Sequence, residues 1–260
     1  MNIIESPQNA QVRLFQSLAT AKGRKEHGMF AVEGVRSVAA LVEAGWTPEV
    51  GYVCFDLLEG RELADRLEAV ARKCYALSLR AFKALSDTVS PQGIAAAVKL
   101  PWTSLKNLPA GPGVFLALHE LRDPGNMGTM IRTADAAAVA GVIVVGDSVD
   151  PFAPKVTRAA AGALFHVTLA VCTTEEFRSW AHETGAATVA TDTAAADSVF
   201  DITFPQRTAL LIGNEAHGLP EALLTASDIQ VRIPMPGRAE SLNAAVAAGI
   251  LLYESIRQRY

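Results

Sequence analysis

"GVFLALHELRDPGNMGTMIRTADAAAVAGVIVVG", residues 113 to 146, decides the architecture of this chain. It opens with an apolar run, "GVFLALHEL", that reads as a buried strand. A loop and a helix expected at 127–139 follow, and then a second apolar run, "GVIVVG". The alternation continues downstream: a short helix around 154–162, "HVTLAV", a helix at 174–184, "AATVAT", "TALLIG" and a short strand in "VRIP". Continuous apolar runs separated by helices predict a mostly parallel sheet covered by helices on both faces.

Upstream, "KLPWTSLKNLPAGPG" (99–113) interrupts both periodicities with prolines and glycines and reads as a linker. Before it lies a small α/β block. One helix is expected across "SPQNAQVRLFQSLATAKG", with Ser6 as N-cap, Pro7 at the first helical position and Gly23 at the end. Strands follow at "MFAVEG", "GYVCFD", "CYALSL" and "GIAAAVKL", with helices near 34–44 and 60–72. The expected domains are therefore 1–98, a linker at 99–112, and 113–260.

The 260 residues are 50% hydrophobic and 19% charged, enough apolar material for a large core. No stretch approaches the roughly 20 apolar residues of a membrane span, and the N-terminus lacks the pattern of a secretory signal. Three cysteines without a CxxC, and no HExxH, give no support to a disulfide framework or a metal site. Buried thiols in a reducing cytoplasm are the reading these features favour. The formal charge of −4 argues against a protein coated in cations but allows a local basic patch. Lys22, Arg24 and Lys25 in "AKGRKEHG" form one, readable either as an RNA contact or as a solvated helix end.

Ligands of open α/β sheets bind at the carboxyl ends of strands, so the loops after strands carry the chemistry. In "LRDPGNMGTMIRTADAA" (121–137), Asn126 suits an N-cap, and Arg132 lies beyond it in the same helix. That loop fits a capped helix with an exposed arginine as well as an anion or ribose site. "LLIGNEAHGLPEALL" (210–224) spaces two glycines as a phosphate loop does, but Leu219 and Pro220 replace the required Lys and Ser/Thr. In "VRIPMPGRAESLNAAVAAGILLYESI" (231–256), Pro234, Pro236 and Gly237 shape a rigid loop before a final helix capped by Ser241. Leu242, Val246, Gly249, Tyr253 and Ile256 recur there as one apolar face.

"NMGTMIRTA", "LLIGNEAHGL" and "IPMPGRAESLNAAVA" resemble, in order and spacing, the three motifs of the SpoU/TrmH-type 2′-O-ribose RNA methyltransferases of the SPOUT superfamily. "FAVEGVRSVAALVEAG" and "LSDTVSPQGIAAAV" resemble the accessory substrate-binding domain of that family, which has the ribosomal protein L30e fold. The resemblance implies a C-terminal α/β trefoil knot preceded by a small L30e-like domain, a homodimer, and S-adenosyl-L-methionine held in the knot. It matches Leu211, Ile212, Gly213, Ile233, Met235, Leu242 and Asn243 to the cofactor site, where a side chain on Gly213 would clash with the cofactor. Asn126, Arg132, Glu215, Ser241 and Asn243 match the catalytic and substrate-facing set. Ala244 and Ala245 depart from the Val and Ser that more often follow the motif asparagine.

The implied reaction is methyl transfer to a ribose 2′-hydroxyl without a metal. Arg132 would then stabilise the developing alkoxide electrostatically, since a guanidinium accepts protons poorly. The ribosomal-protein-like domain points to ribosomal RNA by analogy, with transfer RNA, or an RNA-binding protein that has lost catalysis, as alternatives. A Rossmann-type methyltransferase is disfavoured, because the one GxG, Gly111 to Gly113, precedes its strand.

Overall fold

The computed structural model describes residues 2–101 and 103–259. They form two compact units, one of residues 2–101 with 150–166, the other of 103–149 with 167–259.

The first unit holds a mixed sheet of β1 (Asn2–Ile4), β2 (Met29–Glu33), β3 (Val50–Val53), β4 (Cys74–Leu77) and β5 (Ile94–Lys99), in the order β1-β4-β3-β5-β2. Strand β5 runs antiparallel to β2 and β3. Helices α1 (Ala10–Ser17), α2 (Ala21–His27), α3 (Val35–Glu43), α4 (Glu62–Val70) and α5 (Leu79–Leu85) cover it. Where one opening helix was expected, there are two. Asn9, not Ser6, caps α1 by accepting the Gln11 N–H at 2.9 Å, and Thr20 restarts the chain by accepting the Gly23 N–H at 3.0 Å. Gly23 sits inside α2, where an added Cβ would stand 2.0 Å from the Ser17 carbonyl oxygen. Packing, not chain reversal, requires that glycine.

Residues 150–166 complete this unit. Their helix α7 (Pro154–Ala160) lies on β2, with Thr157 Oγ1 donating to the Ala31 carbonyl at 3.4 Å. Phe30 packs 5.0 Å from Phe152, and Trp46 Nε1 donates to the Phe165 carbonyl. Arg24 is buried here. It pairs with Asp150 at 2.5 Å and donates to the carbonyls of Leu18 and Ala19. The expected basic RNA patch therefore loses its middle member: only Lys22 and Lys25 are exposed.

The second unit is built on a seven-stranded, wholly parallel sheet in the order β10-β12-β9-β11-β6-β7-β8. Its strands are β6 (Gly113–His119), β7 (Gly141–Val145), β8 (Leu169–Cys172), β9 (Ala187–Thr191), β10 (Asp197–Ser198), β11 (Arg207–Ile212) and β12 (Ile229–Arg232). Every residue of β7, and all of β6 after Gly113, is buried, as strands covered on both faces require. The helices are α6 (Pro124–Ala136), α8 (Thr174–Thr184), α9 (Glu221–Ala226) and α10 (Ala244–Arg257). From β6 the chain steps outward to β7 and β8, then crosses to β9. Strand β11 returns between β9 and β6, which makes the carboxyl ends of β6 and β11 the topological switch point.

Two helix starts differ from expectation. Asp123 caps α6 by accepting the Asn126 N–H at 2.7 Å, which puts Asn126 in the first turn rather than at the cap. Asn243, not Ser241, caps α10, accepting from Ala245 and Val246. The apolar stripe through Val246 and Tyr253 is also not the core face of α10. Ala245, Ala248, Leu251 and Leu252 are buried, while Val246 and Tyr253 are about half exposed, at 52% and 53%.

Arg24→Ala should lower stability by about 1–3 kcal/mol, because it strips a buried network of its donors while leaving Asp150 partly solvated. Lys22→Ala and Lys25→Ala should each stay within about 0.5 kcal/mol of the parent in urea unfolding.

Candidate active site

The three motif loops meet around one carboxylate. Glu215, in the loop after β11, accepts the backbone N–H of Arg122 and of Asp123, each at 3.1 Å. Its Oε1 also accepts from Asn126 Nδ2 at 3.1 Å. The oxygen of that Asn126 amide accepts from Asn243 Nδ2 at 2.9 Å, and Asn243 Oδ1 in turn caps α10. A single run of hydrogen bonds thus joins the N-terminus of α6 to the N-terminus of α10 through Glu215, Asn126 and Asn243. Partial withdrawal from water pushes the Glu215 carboxyl up, but the donors on Arg122, Asn126, Glu215 itself and Asp123 outweigh it. The net shift is downward, which favours the ionised form, and in that form the carboxylate ties the loop after β11 to the start of α6.

Each asparagine spends one amide N–H in this run and keeps a second. Those remaining donors are available to an incoming oxygen atom. Arg132 lies on the exposed side of α6 with no hydrogen-bond or ion-pair partner among the described residues. Its charge is free to meet an external anion.

Beside the relay, a cleft of 560 Å³ opens at the carboxyl ends of β9, β11 and β12. Of the expected cofactor residues, Ile212, Gly213, Ile233, Met235 and Leu242 line it, and Glu215 and Ser241 stand on its wall. Leu211 does not line it but is buried in the sheet core, and the Asn243 side chain belongs to the relay. Thr191, Asp192 and Thr193 line it as well, though the motifs did not reach them. Their place in "TVATDT", directly after a strand, was the signal. A cleft lined by polar and apolar groups in similar measure, at a switch point, fits a nucleoside-sized cofactor. A larger depression of 780 Å³, between α8 and the start of β9, holds none of these residues. Position, not volume, identifies the site.

The reason for Gly213 changes. A Cβ there would stand 2.2 Å from the Gly218 carbonyl carbon, because the loop folds back on itself through paired bonds between Asn214 and Gly218. A side chain would break this loop before any cofactor met it, so a Gly213 variant does not isolate cofactor binding.

In the first unit the two signature stretches bind each other. Glu33 accepts from the hydroxyls of Ser86 and Thr88, and Gln92 Oε1 accepts the Val35 N–H at 2.9 Å. Among the described residues, no group of three or more His, Cys, Asp or Glu could hold a metal ion, and no helix is long and apolar enough to cross a membrane.

Comparison with known proteins agrees with this geometry. Residues 113–253 match the model of the SpoU rRNA Methylase family, and residues 9–96 match that of the MRM3-like substrate binding domain. The chain is 36% identical to the 23S rRNA (uridine(2479)-2′-O)-methyltransferase of Streptomyces viridochromogenes, covering 96% of this chain and 91% of that one. It is 34% identical to the 23S rRNA (guanosine(2553)-2′-O)-methyltransferase RlmP of Bacillus subtilis (strain 168), over 97% and 98% of the two chains. The crystal structure of an AdoMet-bound rRNA methyltransferase from Sinorhizobium meliloti superposes with a TM-score of 0.89 at 32% identity, covering 99% of both chains. With its sheet order, its three-loop relay and both halves of its sequence accounted for, the chain belongs to the SpoU rRNA methylase family.

Proposed function

We infer that this protein is an S-adenosyl-L-methionine-dependent methyltransferase that modifies a ribose 2′-hydroxyl of ribosomal RNA. The observation that carries the reading is the relay of Glu215, Asn126 and Asn243 beside the cleft of 560 Å³. Ribosomal RNA is favoured over transfer RNA because the relatives named for 23S rRNA match the first unit as well as the second. The cofactor supplies a methyl group on a sulfonium, already a good electrophile. Ile212, Ile233, Met235 and Leu242 hold its apolar surface at the strand ends. Ser241 and the spare amide N–H groups of Asn126 and Asn243 orient the ribose, and Glu215 keeps those amides in place. Arg132 stabilises the negative charge that develops on the 2′-oxygen, while the proton leaves to water or a phosphate oxygen.

The first unit supplies RNA affinity, with Lys22 and Lys25 binding phosphates. Cutting the chain near residue 110 would not test this, because α7 would lose β2. We further propose that the loop 233–243 is threaded as a trefoil knot and that the protein works as a homodimer in the cytoplasm. The exposed Val246 and Tyr253 on α10 are the surface a second copy would cover.

Three measurements bear on this. In single-turnover methyl transfer, Arg132→Ala should lower the rate at least about 10²-fold with little change in cofactor affinity, and Arg132→Lys should remain strongly impaired. A rate within twofold of the parent would remove Arg132 from catalysis. Replacing Lys22 and Lys25 together by Glu should weaken RNA binding and make it less sensitive to salt. The slope of log affinity against log salt should flatten by about 0.7–0.9 for every phosphate that is no longer neutralised. Val246→Glu with Tyr253→Asp should give monomers in sedimentation, with turnover falling in parallel; active monomers would sink the dimer reading.

A further inference from the structure

Glu120 has φ 51, in the left-handed region that a residue with a long side chain rarely occupies. Two other non-glycine residues share it among those described, Ala138 and Ala161, and both lie where helices end, a common place for this conformation. Glu120 instead stands between the end of β6 and the cap of α6. Its N–H donates to the Val145 carbonyl at 3.1 Å, so its entry is fixed by the sheet. Its exit is held by a side chain from the neighbouring loop and by buried Leu121, whose N–H donates to Ser148 Oγ at 3.1 Å and whose carbonyl accepts the Val149 N–H at 2.8 Å. Asn214 Nδ2 donates to the Glu120 carbonyl at 2.8 Å. The other end of that amide accepts the N–H groups of Ala216 and His217 at 2.9 and 3.1 Å, which determines which end faces Glu120. The Asn214 backbone is itself held by two bonds to Gly218, at 3.0 and 2.8 Å.

We propose that Asn214 is a positioning residue for methyl transfer: it locks residue 120 in its left-handed conformation and so aims the amides of Arg122 and Asp123 at Glu215. The inference rests on reading this site as a methyl-transfer centre. If residue 120 relaxes toward an extended or right-handed conformation, the peptide planes after it rotate about the held Leu121, and the Arg122 and Asp123 amides tilt away. Glu215 then loses two of its donors, and the Asn126 amide loses its fixed partner. The slack passes along the relay to Asn243 and the start of α10. Asn214 bonds neither to Asn126 nor to Asn243, but it also holds the Ala216 and His217 amides beside Glu215 and lines the cleft, so the route through the Glu120 carbonyl is isolated by changing residue 120.

The test is a double-substitution cycle in the full-length protein, read by single-turnover transfer to ribosomal RNA across pH at saturating cofactor. Asn214→Ala should cost about 10- to 100-fold in rate at a temperature where melting shows it folded. The acidic limb of its pH profile should move to higher pH, because a carboxylate deprived of N–H donors protonates more easily. In a Glu120→Gly background, where the left-handed conformation carries no side-chain penalty, the same Asn214→Ala substitution should cost less than about twofold. If Asn214→Ala fails to fold, Asn214→Asp serves: it keeps the acceptor for Ala216 and His217 and replaces the donor to Glu120 by a charged oxygen, so it is judged by the rate in the two Glu120 backgrounds and not by the acidic limb. A full loss in both backgrounds with an unmoved acidic limb would overturn the proposal, as would a rate within twofold of the parent for Asn214→Ala. A parent inactive on every RNA tried would overturn the functional reading instead. The Asn214 lock would then be judged by carbon-13 titration of Glu215, expected at higher pH in Asn214→Ala and unchanged if the lock is wrong.

Discussion

One ionised carboxylate, that of Glu215, satisfies two loop amides at the start of α6 and fixes the geometry of all three motif loops. The physical need for it is general. Loops after parallel strands and the first turns of helices carry N–H groups with no partner in regular structure. A negative group close to a helix N-terminus answers both the unpaired donors and the axial dipole. The neutral, directional amides of Asn126 and Asn243 then carry that geometry onward without adding charge. Because they are amides, each retains a donor that a carboxylate or a hydrocarbon would lack. The anchor and the reactive edge are thus different groups, and neither has to compromise for the other.

The sheet makes this arrangement rigid. Ile212 pairs with Leu118 in the parallel register of β11 and β6, so the chain leaves both strands at the same level and the loops at 120 and 213 lie side by side. A slip of one residue would turn every side chain to the opposite face and break the packing of a core that includes Phe115, Trp180 and Leu211. Helix α10 packs against α6 along a face that carries small residues. Ala245 and Ala248 are buried on α10, and a Cβ on Gly249 would make an ordinary contact with the Thr133 methyl at 3.8 Å. The departure of Ala244 and Ala245 from the residues more usual in this motif removes a hydroxyl without opening the helix start, since the Asn243 side chain already accepts both first-turn amides.

What could be read from the sequence follows the range of each interaction. The parallel sheet was legible because burial on both faces writes itself as uninterrupted apolar runs, and α8 matched its expected span of 174–184 because a Thr173 and Glu176 capping box marks its start. Caps set by competition between near neighbours were misassigned: Asn126 and Ser241 are good capping types, yet Asp123 and Asn243 hold the caps. Asn126 is diverted because Glu215, 89 residues away, claims its amide. No local pattern records that. The burial of Arg24 was hidden for the same reason, since its partner Asp150 lies 126 residues downstream. Motif order identified the site, but only the register of β6 and β11 shows why these residues converge.

The distance from Arg24 to Asp150 also bears on how the chain folds. The first unit is not closed by its own stretch of sequence. Strand β2 keeps a face for α7, and Ala31 and Thr157 meet across 126 residues, as do Arg24 and Asp150. Contacts of such separation cost loop-closure entropy before they return any burial, so they form late. During synthesis, residues 2–101 emerge with Phe30 lacking Phe152, and with the Arg24 guanidinium deprived of Asp150 in a setting that will later bury it. The segment that supplies both partners leaves from the end of β7 and returns to start β8, two adjacent parallel strands of the second sheet. Once β7 and β8 pair, the ends of this excursion are held, and the remaining entropy of docking α7 is that of a short loop rather than of half the chain. Completion of the first unit is thereby tied to formation of the parallel sheet that carries the relay.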